Sequence, residues 1–204
     1  MAWDELASSE TVEKTIGVLG GRGVDAEIVD SRQEALERLK QILPFGAEIM
    51  TAGSVTLKEI GFVDLLKSGR HPWRNLKDAI LAEKDQAKQR DIRGRSTLAD
   101  YYLGSVHAVT QTGEVVVASA TGSQLAGYVY SAKSLVWVVG TQKIVSNLEE
   151  GLRRVREYCL PLEDKRVRDT GGPGSTIGKV LIFERETNLN RKIKLIFVKE
   201  KIGV

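Results

Sequence analysis

Three short stretches of small polar residues carry the chemistry this chain can offer: Thr51-Ala52-Gly53-Ser54, Thr121-Gly122-Ser123-Gln124 and Gly140-Thr141-Gln142-Lys143. Each follows a run rich in apolar residues that reads as a buried strand. Each supplies backbone N–H groups, hydroxyls and a glycine that lets a ligand approach the main chain. In open α/β sheets, ligands bind at the loops beyond the carboxyl ends of the strands, and helices starting there add the positive end of their dipole. The expected binding residues are therefore Thr51, Gly53, Ser54, Thr121, Gly122, Ser123, Gln124, Gly140, Thr141 and Lys143, and the expected ligand is a small anion: a phosphate, a carboxylate or a nucleotide-like group. Lys143 would add a full charge. Glu59 or Glu114 would add a carboxylate for proton transfer, and Glu59 and Lys143 are the catalytic candidates. Strand-to-helix turns need glycine in any case, so the expectation rests on the three loops together.

Other motifs give way on inspection. Gly174-Ser175-Thr176-Ile177-Gly178-Lys179 resembles a Walker A loop, but Pro173 stands where its first glycine belongs. Val180 replaces the magnesium-binding hydroxyl, and a strand follows instead of a helix. The glycines at 17, 20, 21 and 23 lie after a helix and before a strand, where glycine terminates helices; a dinucleotide fingerprint needs the reverse order. His71 and His107 are the only histidines, and neither stands at ligand spacing from the other or from Cys159. No metal or cofactor is expected. His107, inside a strand, reads as a structural imidazole, and no Gly-x-Ser-x-Gly elbow is present.

The elements that position these loops follow in order. Residues 8–20 read as a helix capped by Ser8 or Ser9, with Val12, Ile16 and Leu19 on one stripe. A strand spans 26–29. Ser31 to Glu34 forms a capping box ahead of a helix stopped by Pro44. A strand spans 47–50, and a helix runs from about Val55 to Leu66, with Thr56 and Glu59 placed to cap it. Alternating strand and helix predict a parallel sheet with helices on its faces. A helical excursion at about 70–100 departs from that pattern, being strongly basic over a thin apolar stripe. It reads as a solvated face, a lid over an anion, or a contact with a partner or a second copy. Strands follow at Val106 to Thr110, Val115 to Ala118 and Leu135 to Val139. Asn147 caps a helix with Leu148, Leu152, Val155 and Cys159 on its buried stripe, which makes Cys159 a core thiol. Pro161 is expected to end that helix, 161–176 to be a loop, and the strands 180–183 and 193–198 to pair as an antiparallel hairpin near one edge of the sheet.

Composition sets the class. The chain has 204 residues, 42% of them hydrophobic and 28% charged, with net charge +3, as in ordinary folded domains. The charge is too small to imply nucleic acid. The single Cys159 excludes an internal disulfide or a cysteine-built iron–sulfur cage. MAWDELASSE lacks the basic start and apolar core of a signal peptide, and no apolar run reaches the ~20 residues of a membrane span. The expectation is a single domain, 1–204, in the cytoplasm, away from membranes.

Read together, VTLKEIGF (55–62), SVHAVTQTGEVVVASATGSQ (105–124) and VWVVGTQKIVSNLEEGLRRV (136–155) resemble the LUD-domain family of lactate-utilisation proteins, over about residues 8–200. ASATGSQ, VVGTQKIV and PLED (161–164) resemble its short, single-domain branch. The resemblance implies a three-layer α/β/α fold with a mainly parallel sheet, like ribose-5-phosphate isomerase, the CoA transferases and 5-formyltetrahydrofolate cyclo-ligase. It implies work in or beside a complex that oxidises L-lactate, with redox proteins as partners. This chain lacks the family's iron–sulfur cysteines, which leaves a cluster-free component. Gln111-Thr112-Gly113 stands where CoA transferases carry their nucleophilic glutamate, and Glu114 lies too late to replace it. Two alternatives remain: a stand-alone isomerase or cyclo-ligase type enzyme acting on a phosphorylated or nucleotide-linked substrate, or a non-catalytic assembly subunit docking through its basic segment 79–95.

Overall fold

The computed structural model describes residues 3–204; the first two residues of the 1–204 span, and of MAWDELASSE, lie outside the described residues. In chain order the elements are α1 (Ser9–Gly20), β1 (Asp25–Val29), α2 (Arg32–Ile42), β2 (Glu48–Thr51), α3 (Val55–Glu59), α4 (Phe62–Lys67), β3 (Arg74–Asn75), α5 (Leu76–Ala82), α6 (Gln86–Arg95), β4 (Tyr101–Gly104), β5 (Ala108–Thr110), β6 (Val115–Ser119), β7 (Ser134–Gly140), β8 (Ile144–Val145), α7 (Leu148–Arg154), α8 (Leu160–Asp169), β9 (Lys179–Phe183) and β10 (Lys192–Val198).

Six strands form a parallel sheet in the order β1-β10-β7-β4-β2-β3. Its central strand β7 is apolar on both faces, as a parallel strand covered on each side must be. Val136 and Val138 pack with Leu39 of α2, Leu57 of α3 and Phe62 of α4. Leu135, Trp137 and Val139 point the other way, into a core shared with Val12 and Leu19 of α1, Tyr128 and Phe183. The fold is α/β, a parallel sheet flanked by helices.

A second sheet, β8-β5-β6-β9, lies over that other face. Val115 and Val117 of β6 enter the shared core, while Val116 joins Ala108, Val145 and Val155 beneath α7. The two sheets meet in a fork. β4 and β7 are parallel neighbours in the first sheet; the chain leaves them through residues 105–107 and 141–143 and re-enters as β5 and β8, parallel neighbours in the second.

Four expectations change. The strands at 179–183 and 192–198 do not pair with each other: β9 joins β6 in the second sheet, and β10 lies inside the first between β1 and β7. The apolar residues of β10 need cover on both faces, which an edge hairpin would deny them. The expected helix 55–66 breaks at Gly61, in the left-handed region with φ +80°, and Ser54, not Thr56 or Glu59, caps its start. Pro161 does not stop a helix. Residues 155–159 form a π turn in which the N–H of Leu160 donates to the carbonyl of Val155. Pro161 follows, in the first turn of α8, where its missing N–H is tolerated. Helix therefore replaces the expected loop as far as Asp169. The excursion at 70–100 is mostly helical, but its start, β3, adds an unexpected edge strand to the sheet, and α6 has no fully buried side chain, Ile92 being half-buried against the core. Among the described residues, no helix is long and apolar enough to cross a membrane.

Candidate functional site

A cavity of about 510 Å³ opens where the sheets part. Its walls come from the loop after β2 (52–56), the first crossing (105–107), the end of β6 and its loop (117–121, 123 and 124), Lys143 on the second crossing, the π turn and α8 (155, 159, 160, 163 and 166) and the loop 175–177. The crossings are buried because they carry the chain between two packed sheets, so any polar side chain on them must find partners inside.

Lys143 is buried, at 2% exposure. Its Nζ donates to Thr56 Oγ1 at 3.2 Å, Ser105 Oγ at 3.3 Å and the Val106 carbonyl at 3.2 Å. Ser105 in turn donates to the Val138 carbonyl at 2.7 Å. Among the described residues no carboxylate forms an ion pair with it. Burial, and then the nearby Arg154 guanidinium, push its ammonium down to about 7 against weaker opposing effects of Cys159 and Glu59.

His107 stands beside it on the wall. Its Nδ1 accepts the Ala118 backbone N–H at 3.1 Å, and burial, with Lys143 and Arg154 nearby, lowers its pKa to about 3. The ring is therefore neutral and carries its proton on Nε2. Among the described residues Nε2 has no protein partner, so it is a hydrogen-bond donor free to serve a ligand. Arg154, fully buried, donates to the carbonyls of His107 and Trp3 and to Cys159 Sγ at 3.0 Å. Burial raises the Cys159 thiol, against the opposing pull of Arg154 and Lys143, which keeps it protonated. Gly104 leaves room for Tyr128: a Cβ there would lie 1.7 Å from the phenol oxygen.

The expected site residues divide. Gly53, Ser54, Thr121, Ser123, Gln124 and Lys143 line the cavity; Thr51, Gly122, Gly140 and Thr141 do not. Thr51 is buried, and its carbonyl and hydroxyl accept from Lys77 at 3.3 and 3.4 Å. Gly122, with φ +84°, donates its N–H to Ser119 Oγ, and a Cβ there would lie 2.5 Å from the Lys179 side chain. Gly140 ends β7 and Thr141 opens the packed 3-10 turn that follows, where a Cβ on Gly140 would lie 2.1 Å from Gln142 Oε1. Glu59 and Lys143 do not pair. The Glu59 carboxylate accepts the Gly203 N–H at 2.6 Å and lies outside the cavity wall. Glu114 is occupied elsewhere: against burial, which pushes its carboxyl up, donors on Thr110, Thr112 and Arg22 hold it down at about 2. Thr56, Ser105 and His107 were not expected in the site. They reach it through the fork, which brings together residues far apart in the chain. Among the described residues no group of three or more His, Cys, Asp or Glu side chains gathers into a metal-binding cluster.

Comparison with curated proteins gives no match. Among solved structures, a DUF162 family protein from Deinococcus radiodurans superposes with TM-score 0.56 at 12% identity, covering 95% of this chain and 98% of its own; the likeness concerns the fold. The eIF2B beta and delta subunits of Chaetomium thermophilum reach a TM-score of 0.38 each, at 12% and 16% identity. They cover 58% and 71% of this chain against 44% and 58% of their own. The LUD domain family profile matches residues 12–198, nearly the whole chain and every wall of the cavity except its last residue, Val204. By that match this chain is a member of the LUD domain family.

Proposed function

We propose that this LUD domain binds a small anion in the fork, against Lys143, and acts in or beside an L-lactate oxidation complex. The family membership supplies the lactate-utilisation context. The anion is supported by one observation: Lys143 is a buried basic group on the wall of the cavity with, among the described residues, no carboxylate partner. Burying an unpaired charge is costly, and a bound anion would offset that cost. The rim adds Lys58 and Arg166, and the acid Glu163 on it is already held by Arg166 at 2.7 Å. Basic α6, which rests on the core through half-buried Ile92 and has no fully buried side chain, is the proposed docking face for a redox partner.

The test is a thermal-shift series with lactate, pyruvate, phosphate, phosphosugars, nucleotides, CoA esters and folates on wild type and Lys143→Met. A ligand at a hundredfold excess over its dissociation constant stabilises by roughly 2.7 kcal/mol. The expected result is a clear shift with one class, lost in the variant. No shift with any class would overturn the proposal.

A second reading, a stand-alone enzyme of the isomerase or cyclo-ligase type, is favoured by the size of the cavity. About 510 Å³ falls in the range of roughly 300–1,000 Å³ that holds nucleotide-sized or drug-sized ligands, well beyond lactate. In that reading His107 and Lys143 share the chemistry, and Glu59 has no part. Turnover by the purified chain alone would decide for it.

A further inference from the structure

We propose that Lys143 is a nucleophile that forms an imine with a carbonyl compound bearing a carboxylate, the 2-oxo acids being the simplest class. The inference rests on the anion-binding reading of the fork and adds a covalent step to it. Imine formation needs an amine that can lose its charge without losing its place, and the partners of Lys143 allow this. As an ammonium it donates to Thr56 Oγ1, Ser105 Oγ and the Val106 carbonyl. As a neutral amine it still donates to Ser105 and Val106, while the Thr56 hydroxyl keeps its own hydrogen bond to Ser105 Oγ at 3.1 Å and the lone pair is left free on the Thr56 side, which lines the cavity. A carboxylate partner would have locked the charged form. Burial and the adjacent Arg154 favour the uncharged form, as they do in lysines that form Schiff bases.

The step balances within the site. The Nζ lone pair adds to the ligand carbonyl carbon, and a proton passes from nitrogen to the oxygen, giving a carbinolamine. Loss of that hydroxyl with the second N–H proton releases one water and leaves C=N. No oxidant or second substrate is consumed. His107, neutral with its proton on Nε2, is a positioning residue: it donates a hydrogen bond to the ligand's oxygen and cannot act as an acid near pH 7. Lys58 on the rim meets the carboxylate.

The experiment treats the full chain with pyruvate, and separately with 2-oxohexanoate, in the presence of sodium cyanoborohydride. Adducts are counted by intact mass and located by peptide mapping, with thermal shifts recorded for the same ligands without reductant. The expected result is one adduct per chain, at Lys143, forming at least tenfold faster than at any other lysine, with a rate that rises through an inflection near pH 7. Lys143→Arg keeps a cation and should keep a thermal shift while losing that adduct. If this variant does not fold, the mapping on wild type carries the test alone. A thermal shift in wild type with adducts spread evenly over surface lysines, or with none, would overturn the imine and leave anion binding standing. No shift and no adduct with either acid would overturn the imine for this class; if no other anion shifts the protein either, the anion-binding reading falls as well.

Discussion

Arg191 and Lys143 are both buried cations, and the fold treats them in opposite ways. The Arg191 guanidinium is surrounded: it donates to the carbonyls of Gly127, Tyr128, Val129 and Ala132 and forms an ion pair with Glu186 at 2.8 Å. It ties the turn 127–132 to the start of β10, and its charge is neutralised on site. Lys143 has hydroxyls and a carbonyl but, among the described residues, no carboxylate, and it lines a cavity. Arg191 is saturated by the protein, whereas the fully buried Arg154 shares with Lys143 the lack of a carboxylate partner among the described residues and donates to two carbonyls and a thiol. A cation without a counter-charge is costly to fold around, so Lys143 should weigh on stability where Arg191 supports it.

The comparison is broken most directly at Arg191. Arg191→Met leaves four carbonyls and a carboxylate without their donor, and should cost roughly 3–5 kcal/mol in urea unfolding; a loss below about 1 kcal/mol would put Arg191 on the same footing as a surface ion pair. The effect of Lys143 should appear as a slope. Its folded value of about 7 lies below the ordinary 10.5, so between those limits the unfolded chain holds more protons and stability rises with pH. The penalty is fully present below pH 7 and gone above about pH 10.5, amounting to a swing on the order of 5 kcal/mol. Stability curves of wild type and Lys143→Met should diverge across that window, the wild type gaining on the variant as pH rises. Parallel curves would show that the charge is balanced after all. The smallest effect is spectroscopic. Nitrogen-15 shifts of His107 should report the Nε2–H tautomer and no titration from pH 8 down to about 4, because its folded value is about 3. The stability linked to this ring is present above pH 6.5 and is lost as pH falls towards 3. A midpoint near the ordinary value for histidine would place the ring in water.

The parallel sheet and the strand-end loops are legible in the sequence because they depend on local pattern: apolar runs of strand length, capping residues, and glycine with hydroxyls just after them. Lys143 is legible as a charge in such a loop. What escapes is set by long-range pairing. Val106 to Thr110 and Val115 to Ala118 read as strands, but nothing in them says that they belong to a second sheet, because valine on both faces suits either one. Thr56 reads as a cap and His107 as an ordinary strand residue until the fork brings them beside Lys143. Glu59 fails for the same reason: its place one turn along α3 is right for a loop site, yet its carboxylate turns to the Gly203 N–H. Pro161 reads as a stop because the π turn before it leaves no recognisable trace in residue types.

That π turn also sets the reach of the helix beyond it. A π turn is an α-helix carrying one residue too many, taken up as a bulge. Each residue of an α-helix advances the spiral by roughly 100°, so the surplus residue works as a phase shift for everything after it. Glu163 and Arg166 look into the cavity at the phase this shift gives them. A version of the chain one residue shorter at 155–159 would keep the helix and its composition and turn both side chains about a quarter of a revolution away, changing which charges a ligand meets at the rim without altering a single loop.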